Sequence, residues 1–298
     1  MNAYWSGFDL HSHSTCSDGR LTPEALVQLA ASEGVHTLSL TDHDTVQGIP
    51  RAQAAAKEAG IDLIAGVEIS TTWSGCNVHI VGLNLDIEHP VLMAGLKEQQ
   101  LARQQRAEII AEKLSHLGVE NFLAKVEAKA NGAELGRPHF AQVLVDEGVV
   151  ATMPEAFKKY LGAGKKGDVK SLWPTIETAV SWINAAGGVA VVAHPLHYKM
   201  TNMKRRALLK SFKDAGGQAM EVVSGAQQSR DQTNYMALLA KEYDLAASAG
   251  SDFHFPSQWQ KPGKVNHLPE TVQPVWLLWQ DDNDAAKEKE IKESITRM

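Results

Sequence analysis

The stretch FDLHSHSTCSDG, residues Phe8 to Gly19, places two histidines two positions apart at the end of a short apolar run. Residues i and i+2 of a β-strand lie on one face, so His11 and His13 are expected to point the same way. Asp18 follows within a few residues. One histidine here would be an ordinary half-buried residue, whereas two beside an acid suggest a metal site whose remaining ligands come from elsewhere in the chain.

The size and composition of the chain are those of an ordinary globular protein. Its 298 residues suffice for one barrel-sized domain or two smaller ones, and 44% of them are hydrophobic and 21% charged. A net charge of −6 argues against a protein that coats nucleic acid by bulk charge alone. A nucleotide substrate stays compatible with this charge, because bound divalent cations would invert the local field.

The chain shows no signal for membranes or export. It lacks an apolar run of the roughly 18 to 20 residues that span a bilayer, and its start has neither a basic segment nor an apolar one. The two cysteines, Cys16 and Cys76, fit a reducing compartment without disulfides. We therefore expect a cytoplasmic protein that uses no membrane and needs no obligatory protein partner.

Short apolar segments alternate with helical patterns along most of the chain. In TPEALVQLAASEG, Thr22 is a helix cap, Pro23 occupies the first helical position and Gly34 ends the helix. Repeated strand–helix units predict a parallel sheet, and about seven strands predict a closed or nearly closed barrel, with a two-layer open sheet as the alternative. The predicted strands are FDLHSH, HTLSLTDHD, IDLIAGVEIS, NVHIVGLNL, GGVAVVAHP, QAMEVVSG and LAASAGSDFH.

The segment between the fourth and fifth predicted strands is helical in pattern, charged and without strand signals. We predict that residues 91–172 form an inserted helical cap subdomain over the mouth of a barrel made by residues 1–90 and 173–298. The C-terminal sequence AAKEKEIKESITR predicts a charged, solvated helix.

Nearly every predicted strand ends in a residue that can bind a metal ion. In barrels of parallel strands these ends form the active site, so the side chains are expected to converge. His79 or His194 alone would be an ordinary core or turn residue, but a carboxylate such as Glu68 after an apolar run needs a partner. The candidates are His11, His13, Asp18, Asp42, His43, Glu68, His79, His194, Glu221, Asp252 and His254. They exceed the three protein ligands of one catalytic zinc, so two or three ions are expected, and nitrogen and oxygen ligands suit zinc, manganese or iron.

The ordered motifs DLHSHSTCSDG, TDHDT, GVEIS, VHIVG, AHP and GSDFH resemble those of the PHP (polymerase and histidinol phosphatase) family. GRPHFA and GSDFHFP are similar to one branch of that family, the YciV or TrpH-like enzymes, also called RNase AM. These enzymes remove the 3′-phosphate of nucleoside 3′,5′-bisphosphates and trim short RNA from its 5′ end. The resemblance implies a distorted (β/α)7 barrel with an inserted helical subdomain.

The resemblance also implies a ligand set for two or three divalent ions, with manganese the expected metal and zinc or iron the alternatives. The first ion would be held by His11, His13, Glu68 and Asp252, the second by Glu68, His79 and His194, and the third by Asp18, His43 and His254. Glu221 would support these ligands. Asp42 is a catalytic candidate that, like Asp44, would act by orienting His43 and its loop.

The expected reaction is attack on phosphorus by a hydroxide that bridges two metal ions. His197 is a candidate acid for the leaving group. Arg137 and His139 of GRPH lie at a predicted helix start and are candidate ligands of a 5′-phosphate. Further candidates are Lys165, Lys166 and Lys170 for phosphate, Lys204 to Arg206 for guiding an RNA tail, and Phe253, Phe255 or Trp259 for base stacking.

The expected substrate is a small nucleotide or a short RNA 5′ end, and three other functions are weighed against this one. A histidinol-phosphate phosphatase would use the same metals but would need an acidic or neutral pocket for an amine. A metal-dependent amidohydrolase would act on C–N bonds, against which the phosphate ligands argue. A non-hydrolytic metal-binding module, as found attached to polymerases, fits less well because no candidate metal ligand is missing.

Overall fold

The computed structural model describes residues 7–169, 172–258 and 260–279. Lys170, Trp259 and the C-terminal segment 285–297, all considered above, lie outside these ranges. None of the helices within the described ranges is both long and apolar enough to cross a membrane.

Within the described residues, seven strands form one sheet in chain order. They are β1 (Phe8–Asp9), β2 (Thr37–Leu40), β3 (Asp62–Trp73), β4 (Cys76–Leu83), β5 (Val189–Val192), β6 (Ala219–Ser224) and β7 (Ala246–Gly250). Beyond β1 the chain joins β7: Leu10 N donates to Ala249 O at 3.0 Å and His13 N to Phe253 O at 2.8 Å. The sheet is therefore a nearly closed barrel, as predicted.

One strand runs against the others. The prediction of a uniformly parallel sheet is wrong for β4, which is antiparallel to both β3 and β5. The cause is the short turn at Ser74 and Gly75, whose φ angles of 46° and 73° suit a two-residue hairpin and leave no room for a crossover helix. The start of β4 therefore lies at the rim where the parallel strands end, and His79 pairs there with Ser70.

Nine α-helices are described. They are α1 (Pro23–Ser32), α2 (Ile49–Ala59), α3 (Pro90–Lys113), α4 (Phe122–Ala130), α5 (Arg137–Asp146), α6 (Met153–Ala156), α7 (Ile176–Ala185), α8 (Asn202–Asp214) and α9 (Arg230–Glu242). The ends of α1 follow the prediction: Thr22 Oγ1 accepts a hydrogen bond from Ala25 N, and Gly34 adopts a φ of 84°.

The buried apolar side chains of the described residues form two clusters. The larger fills the barrel and its outer helices, and the smaller is built from residues 107–169, between β4 and β5. Helix α3 contributes to both: Leu92 and Leu96 pack on the barrel, whereas Ala107 and Ile110 belong to the smaller cluster. Because α3 is shared, the division of the chain at 90/91 and 172/173 stays a prediction.

Helix α3 approaches the barrel very closely at Gly95. A Cβ atom on this residue would lie 2.4 Å from the indole of Trp182 in α7, so the α3 backbone rests on that ring. The same helix carries Gln99, Arg103 and Arg106, all buried, towards the rim. The contact between Gly95 and Trp182 therefore helps to set where these side chains lie.

We predict that Gly95→Ala lowers the free energy of unfolding by about 1–3 kcal/mol, because the added methyl group overpacks against Trp182. Helix propensity alone would change stability in the opposite direction, by about 0.5–1 kcal/mol. Urea denaturation measures the difference. In a Trp182→Leu background the same substitution should lower the free energy of unfolding by less. A Gly95→Ala protein that is more stable than the wild type would contradict the prediction.

Candidate active site

The carboxylate of Glu68, on β3 and fully buried, lies at the centre of a ring of histidines. Five imidazole nitrogens come within 3.2 Å of its oxygens: His11 Nε2, His13 Nε2 and His43 Nδ1 at Oε2, and His79 Nδ1 and His194 Nε2 at Oε1. Burial raises the pKa of Glu68, but the surrounding histidines outweigh this effect and hold that pKa well below its usual range. Glu68 is therefore ionised.

Within the described ranges, the side chains around Glu68 form three groups that could each hold a metal ion. Within a group, the possible ligand atoms all lie within 4.8 Å of one another. The groups are His11, His13, Glu68 and Asp252; His43, Glu68 and His79; and His13, Asp18, His43 and His254. The first group has the expected membership. In the second, His43 stands where His194 was expected, although His194 Nε2 lies 2.9 Å from Glu68 Oε1.

Several buried polar atoms at this cluster make no hydrogen bond within the described part of the chain. They are His13 Nδ1, Asp18 Oδ1, His43 Nδ1, Glu68 Oε2 and His194 Nδ1. In addition, the Nε2 atoms of His11 and His13 face each other at 3.1 Å. Buried polar atoms that make no hydrogen bond are costly, and divalent cations take imidazole and carboxylate ligands of this kind. The residues present therefore fit a centre with more than one divalent metal ion.

The protonation of two of these histidines is set in opposite directions. Burial lowers the pKa of His43 to about 3, so this imidazole is neutral, the state that ligates metals. Burial also lowers the pKa of His254, but the carboxylates of Asp18 and Asp252 outweigh it and raise that pKa to about 10. His254 would therefore release a proton when it binds a metal ion.

Three rim residues adopt backbone conformations that side chains rarely take. The φ angles are 55° at Asp44, 31° at His194 and 52° at Asp252. Such strain persists only where the surrounding structure imposes it, and it concentrates at functional sites. It is consistent with a rim shaped for ligand geometry.

Asp42, a catalytic candidate, does not face the ring of histidines. Its carboxylate accepts hydrogen bonds from Ser14 N at 2.8 Å and from the hydroxyls of Ser14 and Ser17 at 2.6 Å. Asp42 therefore fixes the loop that carries His13 and Asp18. It does not orient the side chain of His43. These contacts are those of a positioning residue.

Asp44 joins the rim to helix α3. Its carboxylate accepts hydrogen bonds from Ser70 N and Gln99 Nε2 at 2.7 Å, and from Arg103 Nε and Nη2 at 2.8 and 2.5 Å. The pair of Asp44 and Arg103 is almost fully buried. Because Asp44 follows His43 directly, these bonds hold the backbone beside that ligand candidate.

Glu221, on β6, contacts residues of the cluster. Its Oε1 lies 2.5 Å from His11 Nδ1, and its Oε2 accepts from His194 N at 2.7 Å and Ser224 Oγ at 2.8 Å. A carboxylate on the far nitrogen of an imidazole fixes the orientation of the ring. Nε2 of His11 is thereby directed at the cluster.

Three arginines converge beside the cluster. Arg103, Arg106 and Arg137 line a cavity of about 130 Å³ that also touches Asp18, His43 and His79, and we call it the arginine pocket. Arg106 Nε donates to Val169 O and Arg137 Nη1 to Leu161 O. Burial, followed by the charges of Arg137 and Arg103, lowers the pKa of Arg106 to about 9. The pocket therefore combines desolvated, mutually repelling cations, which an anion would stabilise.

The other predicted phosphate ligands lie elsewhere. His139 Nδ1 accepts a hydrogen bond from Gly136 N at 3.1 Å, so this ring caps α5, and it lines a separate cavity. Lys165 and Lys166 are exposed and line neither the arginine pocket nor the cleft described next; Lys166 Nζ lies 3.1 Å from His116 Nδ1. Sequence reasoning missed Arg103 and Arg106, for which the only signal is their i, i+3 spacing on one helix.

A larger cleft of about 570 Å³ opens over His43, His79, His194, Asp252 and His254. His197, the candidate acid, lines it and stacks on the His194 ring at 5.3 Å between centroids. Burial and the charge of His194 lower the pKa of His197. Sequence reasoning missed Tyr198 and Lys199, which also line the cleft; the Tyr198 hydroxyl accepts a hydrogen bond from His79 N.

The aromatic candidates for base stacking differ in exposure. Phe253 is completely buried and cannot reach a base. Phe255 is 40% exposed, but the guanidinium of Arg20 lies 5.2 Å from the centre of its ring. Phe157 lines the cleft beside Arg137, and Tyr198 lines it as well.

Comparison with known proteins agrees with this geometry. A 5′-3′ exoribonuclease of Haemophilus influenzae is 49% identical over 90% of this chain and 97% of its own length. A 3′,5′-nucleoside bisphosphate phosphatase of Chromobacterium violaceum is 42% identical over 91% and 95%. A solved structure of an amidohydrolase from Chromobacterium violaceum, with bound sulfate and no metal, superposes with a TM-score of 0.86 at 40% identity, covering 93% of this chain and 96% of the other. Residues 9–244 match the PHP domain family, and the chain belongs to that family.

Proposed function

We propose that this protein is a metal-dependent phosphoesterase that removes the 3′-phosphate of nucleoside 3′,5′-bisphosphates and trims short 5′-phosphorylated RNA. The observation that carries the proposal is that one cavity is lined both by metal-ligand candidates, Asp18, His43 and His79, and by the arginines of the pocket. A substrate with two phosphates on one ribose could place one at each.

The arginine pocket suits a phosphate dianion. Arg103 is neutralised by Asp44, whereas neither Arg106 nor Arg137 forms an ion pair within the described part of the chain. Each of these two uses one guanidinium nitrogen on a backbone carbonyl, which leaves further N–H donors for the fork geometry that phosphate prefers. We assign Arg106 and Arg137 to the 5′-phosphate, with Arg103 holding the pocket in place.

The ring around Glu68 suits the scissile 3′-phosphate. Divalent ions held there would supply a nucleophile at neutral pH and neutralise the phosphoryl oxygens. The chain itself orients the ligands: Glu221 fixes the His11 ring, Asp42 fixes the loop of His13 and Asp18, and Asp44 fixes the backbone beside His43. Manganese is our expectation for the metal, with zinc and iron as alternatives.

The leaving 3′-oxygen needs a proton donor. His197 lines the cleft over the cluster and is exposed enough to reach a substrate. Burial and His194 lower its pKa, and a bound phosphate dianion would act in the opposite direction. We therefore assign His197 to the leaving group.

The substrates of the alternative enzymes fit the arginine pocket less well. Histidinol phosphate carries an ammonium group, which would be repelled by Arg106 and Arg137. An amidohydrolase substrate without phosphate would leave Arg106 and Arg137 without an anion, although the similar solved structure is that of an amidohydrolase, with bound sulfate.

We predict that Arg106→Ala and Arg137→Ala each lower kcat/KM for adenosine 3′,5′-bisphosphate by roughly 100-fold, which corresponds to about 3 kcal/mol. Adenosine 3′-phosphate lacks the 5′-phosphate, so it cannot make the contact that these substitutions remove. For this substrate the same variants should lower kcat/KM much less. Steady-state phosphate release by the manganese-loaded protein measures both.

Arg206→Ala is the matched control, since Arg206 pairs with Glu242 on the surface; it should behave like the wild type. An equal decrease in kcat/KM for both substrates would show that Arg106 and Arg137 do not bind the 5′-phosphate. Wild-type protein that hydrolyses histidinol phosphate but neither nucleotide would overturn the proposed substrate.

We predict that Glu68→Gln abolishes activity and lowers the metal content, because Glu68 is a member of two of the three ligand groups. Metal binding should also stabilise the wild-type fold, by about 2.7 kcal/mol at a metal concentration 100 times Kd. Elemental analysis and thermal unfolding with and without manganese measure these effects. Glu24→Gln, which alters an exposed carboxylate paired with Arg51, is the control. Full metal content in Glu68→Gln would refute the assignment.

A further inference from the structure

A third opening reaches the Glu68 cluster from the side of β6 and β7. It is a polar cleft of about 180 Å³, which we call the β6–β7 cleft. Its lining comes from the loops after β5, β6 and β7: His197, residues 224–227, Ser251, Asp252, Gln260, Lys261 and Lys264. It meets the metal-ligand candidates at Asp252.

The order of the strands places this cleft across the barrel from the arginine pocket. The pocket is lined at the rim by His43 after β2, Ser70 on β3 and His79 on β4. In a nearly closed ring of seven strands in chain order, β6 and β7 face β3 across the mouth. A chain held at the pocket and at the cluster would therefore continue towards the β6–β7 cleft.

Among the described residues, the lysines of the β6–β7 cleft differ in their partners. Lys261 Nζ lies 2.8 Å from Glu33 Oε1, so its charge is compensated. Lys264 Nζ contacts only the carbonyl oxygen of Gln258, at 3.3 Å, within the described part of the chain. Gln260 Oε1 is buried and accepts no hydrogen bond in the same part. A free ammonium suits a phosphodiester, and an unused acceptor suits a ribose hydroxyl.

We propose that the β6–β7 cleft binds the nucleotide that follows the scissile phosphate in an RNA substrate, with Lys264 contacting that nucleotide's 3′-phosphate. The inference rests on the proposed function. In that reaction the P–O3′ bond breaks, a water oxygen bonds to phosphorus, and a proton passes to the 3′-oxygen of the released mononucleotide. The phosphorus stays on the downstream RNA, so the second ester oxygen of the scissile phosphate must point away from the first nucleotide.

A cavity beside Asp18 offers a less suitable path. Its volume is about 660 Å³, and it meets the metal-ligand candidates only at Asp18, on the same side as the arginine pocket. Two of its cations are compensated: Arg51 by Glu24 and Lys129 by Asp146. Arg20 is exposed there and has no acidic partner in the described residues, which makes it the matched control.

The experiment compares kcat/KM for a 5′-phosphorylated RNA tetranucleotide and for adenosine 3′,5′-bisphosphate in the manganese-loaded full chain. We expect Lys264→Ala to lower the ratio of the two values, RNA over bisphosphate, about tenfold, and Lys264→Glu to lower it further. For Lys264→Ala, the salt dependence of log KM for the RNA should become shallower by about 0.7 per decade of salt, since one phosphate contact is lost. Arg20→Ala should keep the wild-type ratio.

An unchanged ratio in both Lys264 variants, while the wild type hydrolyses both substrates, would refute the β6–β7 cleft and leave the proposed function intact. A fall of the ratio in Arg20→Ala but not in Lys264→Ala would place the RNA in the larger cavity and also refute it. A wild-type protein inert on both substrates would refute the proposed function and this inference together.

Discussion

A buried carboxylate surrounded by imidazoles is the constraint around which the rim of this barrel is arranged. Glu68 is fully buried on β3, and its two oxygens face five histidines that follow or lie on β1, β2, β4 and β5. A buried charge is tolerated only when it is paired. The strand ends that carry the histidines must therefore lie at the same level of the barrel as Glu68. The antiparallel β4 satisfies this requirement too, because its beginning, and not its end, reaches the rim and places His79 beside Glu68.

A second buried ion pair fixes the position of the arginine pocket relative to this rim. Asp44, one residue after His43, binds Arg103 of α3 with two hydrogen bonds, and Gln99 of the same helix joins them. Farther along α3, Arg106 lies beside Trp173, and Arg137 enters from the start of α5. The cations are thus fixed at a set position relative to the Glu68 cluster. A substrate with two phosphates at a fixed separation is the ligand that such a pairing of sites would select.

The metal-ligand candidates could be predicted from the sequence because they lie at strand ends, where the residue pattern is local. Two pairs of residues, His11 with His13 and Asp252 with His254, are spaced by two at the end of an apolar segment. Glu68 is a charged residue within another apolar segment. The nearly closed barrel followed from the order of the segments and from the family resemblance. His79 was predicted at the rim for an incorrect reason, since the direction of β4 depends on a two-residue turn that its apolar pattern does not reveal.

The substrate side could not be predicted as well, because it depends on packing between distant elements. Arg103 and Arg106 belong to a helix rich in charged and amide side chains, and only tertiary contacts bury them. His139 is used as a helix cap, and Lys165 and Lys166 lie on the surface. The role of Asp42 depends on Ser14 and Ser17, whose approach across the β1 and β2 loops is not visible in the spacing of TDHD.

The most direct test of a Glu68-centred metal cluster beside a phosphate pocket is a crystal structure of the manganese-loaded protein with AMP, recorded at the manganese absorption edge. We expect anomalous peaks between the imidazoles and carboxylates of the three ligand groups, with the AMP phosphate bound by Arg106 and Arg137. A cluster without anomalous peaks, or a phosphate bound away from the arginine pocket, would contradict this expectation.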